Sequence, residues 1–223
     1  MTIFAVFLYG ALSVLIPLWL PETAAQLLLC GLTLAFSAGI LIFAHTRRIP
    51  GARFLSDARA WLLSLPLLAF ALADLLCALP LYFAFSFPQA LRLACGALFE
   101  ECLFRLILLN ALTRRLGLLP RKSAILGALL FGLFHALALL SGAPLVPTLI
   151  NVVCAAAFGL ALSVFTLGSK SVYPAIFAHL LTNLSSGFAP DGIPRVFALA
   201  CALFCIVYSV FLLKYFFKEN PTT

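Results

Sequence analysis

The stretch ALFEECLFRLILLNAL, residues 97–112, reads as the middle of a membrane span, yet it holds Glu100, Glu101 and Arg105. An ionisable side chain near the centre of a bilayer costs about 3 kcal/mol on insertion scales. Three such groups so close together need a reason to be there. The surrounding chain extends the membrane reading to the whole protein. Of its 223 residues, 65% are hydrophobic and 9% charged, and its mean hydropathy is +1.18. Soluble domains are typically about 45–50% apolar and about 25% charged. The composition therefore predicts an all-α polytopic transmembrane bundle of about eight helices, with residues 1–223 forming one domain.

A spanning helix needs about 20 mostly apolar residues. Eight runs fit: about 2–20, 24–44, 60–86, 89–113, 123–140, 146–167, 171–187 and 195–217. The third is long and contains Pro66 and Pro80, which are expected to kink it. The N-terminus lacks the positive n-region of a secretory signal and a clear cleavage site, so it reads as a retained first span. The polar tail KENPTT is expected to be disordered.

The net charge of +7 is a topology signal rather than a nucleic-acid footprint. Arg47, Arg48, Arg53 and Arg59 share one polar break, and Arg114, Arg115, Arg121 and Lys122 another. Lys170 marks a third, and Lys214 and Lys218 close the last span. These breaks alternate with ones almost free of Lys and Arg, where only Arg92 and Arg195 fall, as the positive-inside rule expects. Both termini then face the cytoplasm, and no nucleic-acid partner is expected. All seven cysteines lie within apolar runs without a Cys-x-x-Cys pair, which suits small buried hydrophobes.

Four places carry polar chemistry at membrane depth: Glu100 to Arg105 in span four, Phe131 to His135 in span five, His179 to Asn183 in span seven, and Asp74 in span three. With a 1.5 Å rise per residue, Glu100, His135 and His179 lie about 16, 18 and 12 Å from the ends of their spans. In a core about 30 Å thick, all three fall near the midplane and can meet. Residues four apart share a helix face. Glu101 and Arg105 can therefore pair, the Phe131 ring can pack on His135, and His179 and Asn183 can present two polar groups to one point. Glu100 points about 100° away from Glu101 and has no partner on its own helix. Asp74 could pair with Arg105 or bind an internal water, and its role stays open.

Glu100-Glu101-x-x-x-Arg105, then Phe131-x-x-x-His135, then His179-x-x-x-Asn183, on hydrophobic helices in that order, resembles the CAAX-protease and bacteriocin-processing (CPBP) intramembrane proteases. The resemblance covers spans four to seven, a motif-bearing core of about 89–187. It implies an eight-helix core and peptide-bond hydrolysis. Glu100 with His135 would activate a water, and His179 and Asn183 would stabilise the oxyanion. Glu101 and Arg105 would hold the helix and orient Glu100, with Phe131 packed beside His135. The family has been described both as glutamic-type proteases and as metalloproteases. A metal-free mechanism is the preferred expectation, since no His-Glu-x-x-His occurs and Asn is an unusual zinc ligand. A zinc ion, if present, would be held by Glu100, His135 and His179. Cys102 lies about 200° round the helix from Glu100 and is not expected to act.

Family members cleave prenylated C-terminal CAAX peptides or, in many bacteria, peptides and C-terminal sorting segments of exported proteins. The very short loops look prokaryotic. The expected partners are therefore a membrane-embedded peptide or a C-terminal anchor of a membrane-anchored protein, within the lipid of a prokaryotic inner membrane. CAAX-type prenyl-protein cleavage is the alternative. A proton or ion transporter is disfavoured by the lack of an inverted repeat. A scaffold or immunity protein with a decayed site is disfavoured because every motif residue is intact.

Overall fold

A computed structural model describes Leu12, Ile16 and residues 19–52, 57–78, 82–189 and 192–217. The expected first span, Arg53, the Pro80 kink, Lys218 and the polar tail lie outside the described residues.

Seven helices follow. Helix α1 is Glu22–Thr46, and α2 is Ala58–Cys77. Helix α3 starts as Phe87–Glu101 and continues as wider π-turns over Cys102–Leu108 and Ala111–Arg115. Helix α4 is Pro120–His135, tightening to a 3₁₀ turn over Ala136–Ser141. Helices α5, α6 and α7 are Leu145–Ser169, Tyr173–Ser185 and Arg195–Phe216. Among the described residues there is no strand, only isolated bridges joining Gly51 and Ala52 to Ser171.

Five of these are long and apolar enough to cross a bilayer: α1, α2, α4 with its 3₁₀ turn, α5 and α7. Their outer faces carry Leu129, Leu133, Val153, Leu203 and Val207, all exposed, as a lipid-facing surface requires. Helix α3 is not an ordinary span, because its regular α-helix stops at Glu101. With 13 residues, α6 reaches only about 20 Å.

The third span departs from its expected length. Its helix ends at Cys77 instead of running to residue 86. Residues 82–86 are not helical, and the Ala84 amide donates to the Gly187 carbonyl, 2.8 Å away. Ser86 then caps α3 in a reciprocal box with Gln89, which separates this apolar loop from the helix that follows. Pro66 acts as expected. It has no N–H to continue an α-helix, and Leu65–Leu68 is a 3₁₀ turn.

Helix α4 packs along α5, α5 along α7, α1 along α3, and α6 lies between α3 and α2. Two glycines permit the α4–α5 approach. A Cβ on Gly132 would come within 2.7 Å of the Val152 carbonyl, and one on Gly159 within 2.8 Å of the Phe131 ring. Small residues serve this purpose where membrane helices touch. The α1–α2 and α5–α6 loops meet at one end of the bundle, where the Val172 amide donates to the Gly51 carbonyl at 2.9 Å. Arg47, Arg48 and Lys170 therefore share that end, as expected from the alternation of basic breaks.

Candidate active site

Glu101 and Arg105 stand four residues apart at the point where α3 widens. Both are fully buried, and Arg105 Nε lies 3.0 Å from Glu101 Oε2. Nη2 donates to Oε1 at 3.4 Å, making the pair bidentate. A buried ion pair is tolerated only when its remaining groups are also satisfied. Here Nη1 donates to the Ser163 hydroxyl of α5 at 3.3 Å. The flat face of the guanidinium lies over the Phe131 ring, 4.8 Å from its centroid, a cation–π contact. The π-turn is also supported. Wider turns misalign backbone carbonyls, and the Asn110 amide caps that of Leu106 at 2.9 Å while reaching Pro50 O at 3.1 Å.

His179 arrives from α6, 78 positions away in sequence, and its Nδ1 lies 2.9 Å from Glu101 Oε1. A carboxylate accepts only, so Nδ1 carries the proton and Nε2 is the free face of the ring. That Nε2 stands 3.7 Å from Glu100 Oε2. His179 is thus held between the two carboxylates, with Phe131 and Phe158 edge-on to its ring at 5.8 and 5.6 Å. Glu100 Oε2 is buried and has no hydrogen-bond partner in the protein. The two neighbouring acids therefore divide their labour. Glu101 is saturated by Arg105 and His179, while Glu100 keeps an open oxygen beside an imidazole.

His135 is the last α-helical residue of α4. Its Nδ1 donates to the Phe131 carbonyl at 2.9 Å, which leaves Nε2 as an acceptor. Phe131 packs against the rings of Phe104, His135 and His179, with centroids 5.0, 4.9 and 5.8 Å away, and so joins the helices of the site. Among the described residues His135 forms no ion pair with either glutamate; the imidazole in contact with Glu100 is that of His179. Asn183 sits one turn beyond His179, but its amide donates to Leu93 O of α3 at 3.3 Å. Asp74 does not join Arg105. Its Oδ2 accepts from the Ser185 hydroxyl at 2.6 Å. Cys102 packs with Ala44, Ala52, Leu106 and Val172, in a cluster apart from Phe131.

Residues 83–185 match the family model of type II CAAX prenyl endopeptidase, Rce1-like. That family is one of CAAX proteases, and the similarity takes in just under half of the chain. The matched segment runs from just before α3 to the end of α6 and contains every motif residue described above; α1, α2 and α7 lie outside it. The matched segment is thus similar to a family of peptidases. No curated protein and no solved structure was found to match it.

Among the described residues, no three His, Cys, Asp or Glu side chains are disposed to hold a metal ion. Both histidines use Nδ1 within the protein, His179 toward Glu101 and His135 toward the Phe131 carbonyl, which leaves each Nε2 open.

Ser163 escaped sequence reasoning because a lone serine in an apolar span carries no pattern. A signal did exist. Gly159 and Ser163 are four apart and share one face of α5, a stripe of small residues where another helix can approach. Gly159 receives the Phe131 ring, and Ser163 receives Arg105.

Proposed function

We propose that this CAAX-type intramembrane endopeptidase cleaves a peptide bond near the C-terminus of a membrane-anchored protein or peptide, using a water activated by Glu100 without a metal. The observation that carries the reading is the open, buried Oε2 of Glu100 set 3.7 Å from His179 Nε2. Glu100 Oε2 and the acceptor Nε2 of His135 hold the water. Glu100 takes its proton as the oxygen adds to the scissile carbonyl, a step worth about 10²–10⁴-fold. Negative charge then develops on the carbonyl oxygen. His179 in its imidazolium form offers Nε2–H, and Asn183 offers the amide hydrogen not used by Leu93 O. Such donors are worth about 3–4 kcal/mol each. The tetrahedral adduct collapses, the C–N bond breaks, and the proton on Glu100 passes to the departing amine. Glu101 holds His179 in the orientation this requires.

The match to prenyl endopeptidases makes a prenylated CAAX peptide the first substrate to try, and an unprenylated C-terminal anchor peptide the second. The clustering of Arg47, Arg48 and Lys170 at one end of the bundle supports placing that end, and both termini, in the cytoplasm of a prokaryotic cell. The test is full-length protein in lipid nanodiscs given each peptide, with cleavage followed by mass spectrometry. Cleavage of the prenylated peptide, unchanged by 1,10-phenanthroline, is expected. Loss of cleavage that added zinc restores would overturn the metal-free assignment. Cleavage of neither peptide would overturn the substrate class.

A further inference from the structure

We propose that Asp74 is a positioning residue for this peptidase: through the hydrogen bond it accepts from Ser185 it fixes the second half of α6, and so sets His179 and Asn183 against α3. The inference rests on the proteolytic reading above, for which His179 and Asn183 must be aligned with Glu100.

Asp74 is a carboxylic acid buried in a membrane helix, 8% exposed, and Ser185 is 6% exposed. An acid at such a place is costly, and among the described residues no cation forms an ion pair with it. One hydroxyl is a poor return for burying a carboxyl group. Stability alone does not explain its presence.

The surroundings of α6 suggest what it does. One side of the helix faces α3, where His179 meets Glu101 and Asn183 reaches Leu93 O. The other side packs on α2, and its end borders an open apolar groove. Leu181, Leu184 and Ser185 line that groove with Leu72 of α2 and Phe197 and Phe204 of α7. Two side-chain contacts mark the ends of its packing on α2. Trp61 and Phe177 meet edge to face at 5.7 Å near its start, and the Ser185 hydroxyl meets Asp74 Oδ2 at 2.6 Å at its end. The same hydroxyl lies 2.9 Å from the Thr182 carbonyl, so the tie fixes the final turn as well as the helix position. Asn183 lies two residues before Ser185 and is bonded on the opposite side to α3. The end of α6 is thus held from both sides, by Asp74 and by Leu93.

Steady-state kinetics on the full chain in nanodiscs, with the prenylated CAAX peptide, tests this. Asp74→Ala is expected to lower kcat at least about tenfold, since small misplacements of catalytic groups are costly, while KM stays within about twofold. Asp74→Asn keeps an acceptor at the same place and is expected to recover most of the rate. Ser185→Ala should match Asp74→Ala, and the double variant should be no slower than either single one, as for two halves of one interaction. Should Asp74→Ala fail to fold, the comparison of Ser185→Ala with Ser185→Thr, which retains the hydroxyl, gives the same reading. Wild-type kcat in either alanine variant, or losses that add in the double, would overturn the proposal while leaving the proteolytic reading intact. An inactive wild-type enzyme would overturn the proteolytic reading itself.

Discussion

Helices α5 and α3 lie side by side in function but are built on opposite terms. Helix α5 is an unbroken run of 25 residues, Leu145–Ser169, with no charged side chain and a long row of buried small and apolar groups. Helix α3 carries Arg92, Glu100, Glu101, Arg105, Arg114 and Arg115 and leaves regular α-geometry directly after the glutamates. One provides a smooth wall; the other provides chemistry that the wall makes possible. Ser163 and Gly159 are the points where α5 meets the site, the first receiving the Arg105 guanidinium of α3 and the second the Phe131 ring of α4 beneath it. Local departures from regular helix are frequent at functional sites, and here the departure begins at the acids themselves.

Breaking the α3 side should cost most. Arg105→Ala removes the charge partner of a fully buried Glu101, which is expected to destabilise the fold by about 3–5 kcal/mol. Thermal unfolding in detergent checks it, and a variant that melts like the wild type would show that Glu101 is compensated elsewhere. Disturbing the contact of α5 with the Phe131 ring of α4 should cost less. Gly159→Ala places a methyl group 2.8 Å from the Phe131 ring; overpacking of this kind costs about 1–3 kcal/mol. Because Phe131 also packs on His135 and His179, cleavage should slow as well, which a melt paired with a rate measurement would reveal. Changing the lipid-facing wall should cost least. Leu133→Ala, on an exposed face of α4, is expected to move stability by no more than about 0.5 kcal/mol, and a larger drop in the melt would mean that this face is covered.

What the sequence made legible was local. The Glu101–Arg105 pair, the Phe131–His135 contact and the Pro66 disturbance all follow from spacing along one helix, and all three are present. The long-range choices were not legible. Nothing within α6 says that His179 will take Glu101 while Asn183 takes Leu93 O, because those bonds span 78 and 90 positions. The π-turn depends on Asn110 reaching Pro50 in another loop. The third span was read too long because hydropathy counts apolar residues, not hydrogen bonds. Residues 82–85 are apolar but not helical, and the Ala84 amide donates to the Gly187 carbonyl instead. Phe83 lies against Phe188, centroids 5.0 Å apart.

The division of labour between the two adjacent glutamates is tested most directly by Glu100→Gln, measured in one preparation for both melting and peptide cleavage. The unbonded Oε2 predicts a wild-type melting curve with cleavage slowed by at least about 10²-fold, the lower bound for losing a general base. Cleavage within about tenfold of wild type by a folded Glu100→Gln protein would contradict the assignment of Glu100 as the base.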